Sequence, residues 1–250
     1  MMYKFFKELF STTKDDVNDS KGKVDVCEEL RRNDSEQIQL EAKKLLLSIP
    51  YEEQFGNALG AAMRVIVFGD WFTVFGSTED DGRHPIHLYQ FGDYPKIDQY
   101  RDDFAKILKK DFAIEDRETC LAVLAGYFTV LGLTGSTKSL EGKVGKINLL
   151  IWDISKPGVN AFAVAIASHV TTAATDVRFL SKIEALEILK QLSLYAKKHF
   201  SNWILFSDRL LEGENHVGLN SKIGKSYLKR YSGYLKEKKG SPWNNIDWLK

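Results

Sequence analysis

Two glycine-containing stretches come close to the phosphate-binding loop of nucleotide-binding proteins without completing it. Such a loop places Gly-Lys-Ser/Thr after a first glycine and four spacer residues, so that backbone N–H groups surround the phosphates. In the stretch that begins at Gly132, Thr137 occupies the position of the second glycine. In the stretch that ends in the Gly-Lys-Ser triplet at 224–226, Leu219 occupies the position of the first. We therefore expect no nucleotide cofactor at either place.

Histidine and cysteine could bind a metal ion or act as nucleophiles, but their spacing favours neither use. His84 and His87 lie three residues apart in a loop, where a zinc site would still need ligands from elsewhere in the chain. Cys27 and Cys120 lack the local sequences of catalytic or zinc-binding cysteines. A chain with two cysteines is not a disulfide scaffold. The sequence therefore predicts no metal site and no cofactor.

A basic stretch near the C-terminus combines cations with tyrosines, a combination that binds single-stranded nucleic acids. Residues 221–239 hold seven basic residues and three tyrosines against one acidic residue, Glu237. However, Tyr227, Tyr231 and Tyr234 fall on the apolar stripe of the predicted helix, which favours a place in the core. The basic face could equally meet an acidic surface of protein. Nucleic-acid binding is therefore an alternative and not the favoured function.

Five residues from separate elements could line a binding pocket if the fold brings them together. They are Asp153, Arg178, Trp203, Arg209 and Trp243. An enzyme that acts on a small molecule in a pocket around Asp153 is the main alternative function. The spacing of these residues along the chain does not itself show that they converge.

The C-terminal segment carries two tryptophans and an isoleucine within six residues. Residues 241–248 read SPWNNIDW. Chain ends usually fray unless they are tied down, and these side chains could fill grooves between helices. We expect this segment to be a hydrophobic staple, with a partner-binding hot spot as the alternative.

Helical periodicity dominates the elements that must position these residues. The best-specified helix is predicted over 181–200, where Ser181 and Glu184 form a capping box at its start. Ser201 is predicted to cap the following helix, and Gly213 is predicted to end it. A third helix is predicted over the basic stretch that follows.

Three further segments contribute to the predicted fold. Asp116 is a predicted N-cap of a helix, and the alanine-rich stretch 161–170 is predicted to be a buried helix. Residues 64–76 hold Val, Ile, Phe and Trp, which suit a strand as well as a buried helix. The sequence therefore predicts a mainly α protein with a helical bundle-like domain, and a short β-hairpin around residues 64–92 as an alternative.

Composition indicates a globular protein with an uneven charge distribution. The 250 residues are 44% hydrophobic and 28% charged, and the net charge is +1. The first 125 residues hold 17 Lys/Arg and 24 Asp/Glu, whereas the last 125 hold 18 and 10. No uncharged apolar run is long enough to span a bilayer, and the start of the chain lacks the pattern of a signal peptide. We expect a cytoplasmic protein that does not bind membranes.

A family resemblance is carried by four stretches that occur in order. They are FAIEDRE at 112–118, WDIS at 152–155, the stretch from FLSKIEA at 179–185 through SNW at 201–203 to LLEG at 210–213, and the terminal SPWNNIDW at 241–248. Together they resemble the bacterial domain-of-unknown-function 1266 family over about residues 100–250. Lys156 and Glu214 stand where this family has arginines, so an anion-binding role of those arginines would not carry over. The resemblance implies a helical domain and no established activity, cofactor or catalytic residue.

These observations divide the chain and favour one class of function. We predict an N-terminal tail or linker over 1–34, an N-terminal helical region over 35–95 and a 1266-like helical domain over 96–250. The absence of an intact catalytic motif, the split charge and the many aromatic residues favour a non-enzymatic protein-interaction module. An immunity or adaptor protein of a bacterial toxin or effector system is one form of that function, and its partner would be a protein.

Overall fold

The described part of the chain is entirely helical or irregular. The structure is a computed structural model that describes residues 40, 44, 46–68, 85–94, 97–133, 153–217 and 222–250. These residues belong to one compact unit, Gln39–Lys250. Within the ranges given, no strand occurs, and the predicted mainly α fold is confirmed.

The helices follow one another with short connections wherever the structure describes the chain. They are α1 (Tyr51–Leu59), α2 (Ala61–Phe68), two short 3-10 helices (Ile86–Leu88 and Ile97–Gln99), α3 (Arg101–Phe112), α4 (Arg117–Val130), α5 (Val159–Asp176), α6 (Lys182–His199), α7 (Trp203–Val217), α8 (Lys222–Glu237) and α9 (Pro242–Asn245). The alternative hairpin falls largely on 69–84, outside the described residues, and the chain on either side of that gap is helical.

Helix α5 lies at the centre of the fold. All but one of its 18 residues are buried, and it packs against α1, α2, α3, α4, α6 and α7. A helix that is covered on every side needs small and apolar residues all round, which the alanine-rich sequence supplies. The predicted buried helix over 161–170 is therefore confirmed, and it is longer than the pattern indicated.

The start of α5 approaches α7 unusually closely through two glycines. A Cβ atom added to Gly213 would lie 2.1 Å from the carbonyl oxygen of Gly158, and one added to Gly158 would lie 2.1 Å from that of Arg209. Gly213 was predicted to end α7, and that prediction is wrong, because α7 continues to Val217. The glycine permits backbone contact between two helices instead of ending one.

Side-chain caps mark the starts of several helices, although α1 and α3 begin without one. Asp116 and Thr119 form a capping box at the start of α4, and the predicted box of Ser181 and Glu184 starts α6. At α7, Asn202 takes the capping role predicted for Ser201, since its Oδ1 accepts from the Leu205 N–H at 2.8 Å. Local sequence thus placed these helix starts to within one residue.

The C-terminal segment is packed into the core. Trp243 and Trp248 are each 4% exposed. Together with Trp203 they donate their three indole N–H groups to backbone carbonyls: Trp243 to Ala58 at 2.9 Å, Trp248 to Phe200 at 2.9 Å and Trp203 to Ile246 at 2.7 Å. The segment therefore joins α1, the α6–α7 connection and α7, as a hydrophobic staple would.

Some sequence predictions concern residues outside the described ranges. These include Cys27, His84, most of the glycine-containing stretch that begins at Gly132 and the start of the one that ends at 226. The predicted division at residue 95 stays a prediction, although buried side chains from both sides of it share one hydrophobic core. None of the described helices is long and apolar enough to cross a membrane.

Candidate functional site

Asp153 and Arg178 lie on opposite sides of α5 in the chain, six residues before its start and two residues after its end. Asp153 is exposed, and its carboxylate accepts from the Ser155 amide at 3.0 Å and hydroxyl at 2.5 Å, which lowers the pKa of the Asp153 carboxyl. Arg178 is exposed in the turn after α5, with a left-handed φ of 67° that ends the helix. Because α5 has 18 residues, its two ends are about 27 Å apart. The structure does not bring these two residues together.

The other three residues predicted to line a pocket are divided between the core and the surface. Trp203 and Trp243 are buried and stacked, with ring centroids 6.0 Å apart. Arg209 is exposed on α7 and forms an ion pair with Glu212 at 2.6 Å. The tryptophans thus belong to the core cluster, and Arg209 lies on the surface.

A buried ion pair that the sequence did not reveal lies between α2 and α5. Arg64 Nη2 and Asp176 Oδ2 are 2.7 Å apart, and both side chains are 0% exposed. Arg64 also donates to the His87 carbonyl at 2.9 Å and to the Thr172 hydroxyl at 3.2 Å. Asp176 accepts from the Gly92 N–H at 2.6 Å. Burial raises the pKa of the Asp176 carboxyl against the pull of Arg64.

A second ion pair reinforces the same part of the core. Lys182 at the start of α6 donates to the buried Glu53 carboxylate and to the Phe91 carbonyl. Its ammonium also lies 3.9 Å from the centre of the Phe91 ring. Both pairs connect residues before 95 with helices after it. Because each charge is matched and hydrogen-bonded inside the protein, we assign the network to the fold and not to catalysis.

His169 on α5 is a buried group without a hydrogen-bond partner for its Nδ1 within the described residues. It lies between the rings of Phe104 and Phe112, at centroid distances of 6.4 and 6.3 Å. Burial, assisted by the charge of Arg64, lowers the pKa of His169 to about 3. The imidazole is therefore neutral at neutral pH.

We expect His169 to make the protein less stable in acid. Its pKa in the folded protein lies below the value of about 6.5 for an unfolded chain, so stability is retained above pH 6.5 and lost as the pH falls towards 3. In His169→Leu this loss is absent. As the pH falls from 6.5 to 5, the free energy of unfolding of the wild type should decrease by about 2 kcal/mol relative to that of the variant. Urea unfolding at each pH measures this difference.

The comparison between variant and wild type isolates His169 even though a second buried histidine titrates similarly. Burial also lowers the pKa of His87 to about 3, but His87 is present in both proteins. An identical pH dependence of the two proteins would contradict the assigned role of His169.

Helix α8 carries the basic stretch that the sequence pointed out. Its buried face consists of Leu228, Tyr231, Ser232 and Leu235. Two of its lysines are matched by acids of α7: Lys225 lies 3.4 Å from Glu214, and Lys236 lies 3.1 Å from Asp208. These two cations are thus already neutralised within the fold.

The cations in the middle of α8 are not matched in this way. Lys229 and Arg230 are both exposed, and no carboxylate of the described residues pairs with either. Arg230 Nε donates to the Tyr234 hydroxyl at 2.7 Å, and its guanidinium carbon lies 5.4 Å from the centre of that ring. Tyr234 therefore holds the guanidinium in place while leaving its two terminal nitrogens available.

An open depression of about 350 Å³ lies beside these cations. Its lining residues follow one face of α8 and are Ser226, Lys229, Arg230, Gly233, Tyr234 and Glu237. We call this set the α8 face. The sequence had indicated basic residues and tyrosines here, and the structure shows that Tyr231 is buried whereas Tyr227 is 36% exposed.

Gly233 is one of the residues that line this depression. A Cβ atom added to it would meet no described atom within 4 Å, in contrast to the crowded Gly158 and Gly213. Glycine inside a helix is about 0.5–1 kcal/mol less stable than alanine. Packing within the described protein therefore gives no reason for a glycine at this position.

Comparison with known proteins places the chain in a family. The model of the family described as "Protein of unknown function (DUF1266)" matches residues 94–248. The chain belongs to the DUF1266 family. No curated protein and no solved structure shows significant similarity to the chain.

The residues by which the chain resembles the DUF1266 family have structural roles here. Ser181 and Glu184 cap α6, and Ser241 caps α9. Trp203 and Trp243 belong to the buried aromatic cluster. The α8 face lies within the part of the chain that the DUF1266 model matches, but outside those motifs.

Proposed function

We propose that this DUF1266 protein is a non-enzymatic interaction module that binds another protein through its α8 face. The observation that carries the proposal is the pair of exposed cations, Lys229 and Arg230, which no described carboxylate neutralises. Flanking lysines of the same helix are neutralised by Glu214 and Asp208. A surface that leaves cations unmatched next to tyrosine rings is suited to recognition of a charged partner.

The biological setting of this function is part of the same proposal. A cytoplasmic adaptor, or an immunity protein that neutralises a bacterial toxin or effector, would need such a face for a charged partner. A neighbouring gene that encodes a toxin-like chain would support the immunity form. The ionic component predicts a complex that weakens as salt increases.

Site-specific photo-crosslinking in cells tests the proposal. A photoreactive amino acid at Ser226, within the α8 face, should form a discrete adduct with a protein. The charge reversals Lys229→Glu and Arg230→Glu together should reduce that adduct at least tenfold, because they oppose the attraction on which binding depends. Adduct yield is read by immunoblot of the tagged chain.

A matched control uses a lysine that is exposed elsewhere. Lys190 lies on the outer face of α6. In one control the photoreactive residue replaces Lys190, and in the other Lys190→Glu is combined with the photoreactive residue at Ser226. A crosslinker at Lys190 should give no discrete adduct, and Lys190→Glu should leave the Ser226 adduct unchanged. Absence of any protein adduct at Ser226, or equal loss in the control, would overturn the proposal.

A further inference from the structure

The α8 face has features that specify the chemistry of its partner. Arg230 is oriented by Tyr234, and the two terminal nitrogens of a guanidinium match the two oxygens of a carboxylate. The aliphatic stems of Lys229 and Arg230 and the Tyr234 ring border the depression, so apolar surface lies beside the cations. The partner atoms that fit are a carboxylate next to an apolar side chain.

Gly233 adds an observation that is independent of charge. The described fold has no need of a glycine there, since a side chain would enter open space. Proteins retain such locally destabilising choices where function needs them. A glycine in the lining of the depression lets a bound chain approach the helix closely.

Charge also distinguishes between two kinds of anionic partner. Nucleic-acid binders that track a phosphate backbone use several cations, each contacting a phosphate. Elsewhere on the same helix, Lys225 and Lys236 are already paired with carboxylates, and Glu237 adds a negative charge to the α8 face itself. Two cations beside one carboxylate favour a single acidic side chain over a continuous row of phosphates.

We propose that the α8 face binds an acidic protein segment, in which a carboxylate pairs with Arg230 and a neighbouring side chain packs against Gly233. This inference rests on the proposed function and names the chemistry of its partner. Arg230 provides the anchor, Tyr234 positions it, and Gly233 determines how closely the partner approaches.

Fluorescence polarisation with defined probes tests this inference on the full-length chain. The acidic probe is a labelled random copolymer of glutamate and tyrosine, and the competing probe is a labelled 20-base DNA strand. We expect the copolymer to bind more tightly than DNA at equal salt. Arg230→Glu should weaken copolymer binding at least tenfold, and Tyr234→Phe about threefold to fivefold.

A substitution at Gly233 should change binding and stability in opposite directions, so the two effects can be told apart. Gly233→Gln places a side chain in open space and replaces a poor helix former by a good one. We expect its Tm to rise by about 2–4 °C while copolymer binding falls at least tenfold. Lys190→Glu, on α6, serves as the charge control and should change binding less than twofold.

The outcomes separate failure of this inference from failure of the proposed function. Tighter binding of DNA, unchanged binding by Gly233→Gln, equal loss in Lys190→Glu, or no binding of the copolymer would each overturn the acidic-segment inference. The proposed function would survive any of them if the Ser226 photo-adduct with a protein still depended on Lys229 and Arg230.

Discussion

Asp176→Asn is expected to lower the free energy of unfolding by about 3–5 kcal/mol. Asp176 neutralises the fully buried Arg64 at 2.7 Å, and the asparagine would leave that guanidinium charged, desolvated and unpaired. The side chains are nearly equal in volume, so the loss reports charge and not a cavity. Urea unfolding followed by circular dichroism measures it.

A double variant separates the effect of losing the ion pair from the cost of leaving one buried partner unpaired. Arg64→Met with Asp176→Leu replaces both charges by apolar side chains, and such replacements of buried pairs are often neutral or stabilising. We expect the double variant to regain most of the stability that Asp176→Asn loses. A loss below about 1 kcal/mol in the single variant, or a double variant no more stable than the single one, would contradict this interpretation.

Truncation of the chain after Gly240 is expected to abolish cooperative folding. It removes Trp243, Ile246 and Trp248, all of which are at most 5% exposed. Replacing one buried tryptophan by alanine lowers the free energy of unfolding by about 3–5 kcal/mol. The free energy of unfolding of a whole domain is only about 5–15 kcal/mol. The removal also exposes Phe55 and Trp203, which pack against Trp248 at 5.2 and 4.6 Å. Thermal unfolding followed by circular dichroism tests the expectation.

Two point variants define how much of that effect belongs to the buried tryptophans. Trp248→Ala should lower the free energy of unfolding by about 3–5 kcal/mol. Leu249→Ala, at a neighbouring side chain that is 84% exposed, should change it by less than about 0.5 kcal/mol. A truncated chain with the melting temperature of the full one would show that the tryptophans do not stabilise the core.

The motifs that identify the family and the face that we propose to be functional are different parts of the same domain. Caps and buried tryptophans hold α6, α7 and α9 in place. The α8 face is built on that framework from exposed side chains. Substitutions in the motifs should therefore change stability, whereas substitutions on the α8 face should change binding.

Local sequence determined the class of fold and several helix starts. The helical periodicity predicted a mainly α protein, and the capping boxes depend only on residues three positions apart, so Asp116 and Ser181 could be recognised directly. The terminal tryptophans suggested a staple because large apolar side chains at a chain end need burial. The family could likewise be recognised from motifs that lie along the chain.

Tertiary structure alone decided the contacts between distant residues. Gly213 resembled a helix end, yet it lies inside α7, where the close backbone of Gly158 leaves no room for a side chain. Arg64 and Asp176 are 112 positions apart, and nothing in the sequence near either residue predicts their pairing. Of the five residues predicted to line a pocket, the two tryptophans are stacked in the core, whereas Asp153, Arg178 and Arg209 are exposed. On α8, the neighbouring acids of α7 decide which cations stay unmatched. Periodicity and caps are local, whereas charge compensation and close backbone approach exist only once the helices have packed.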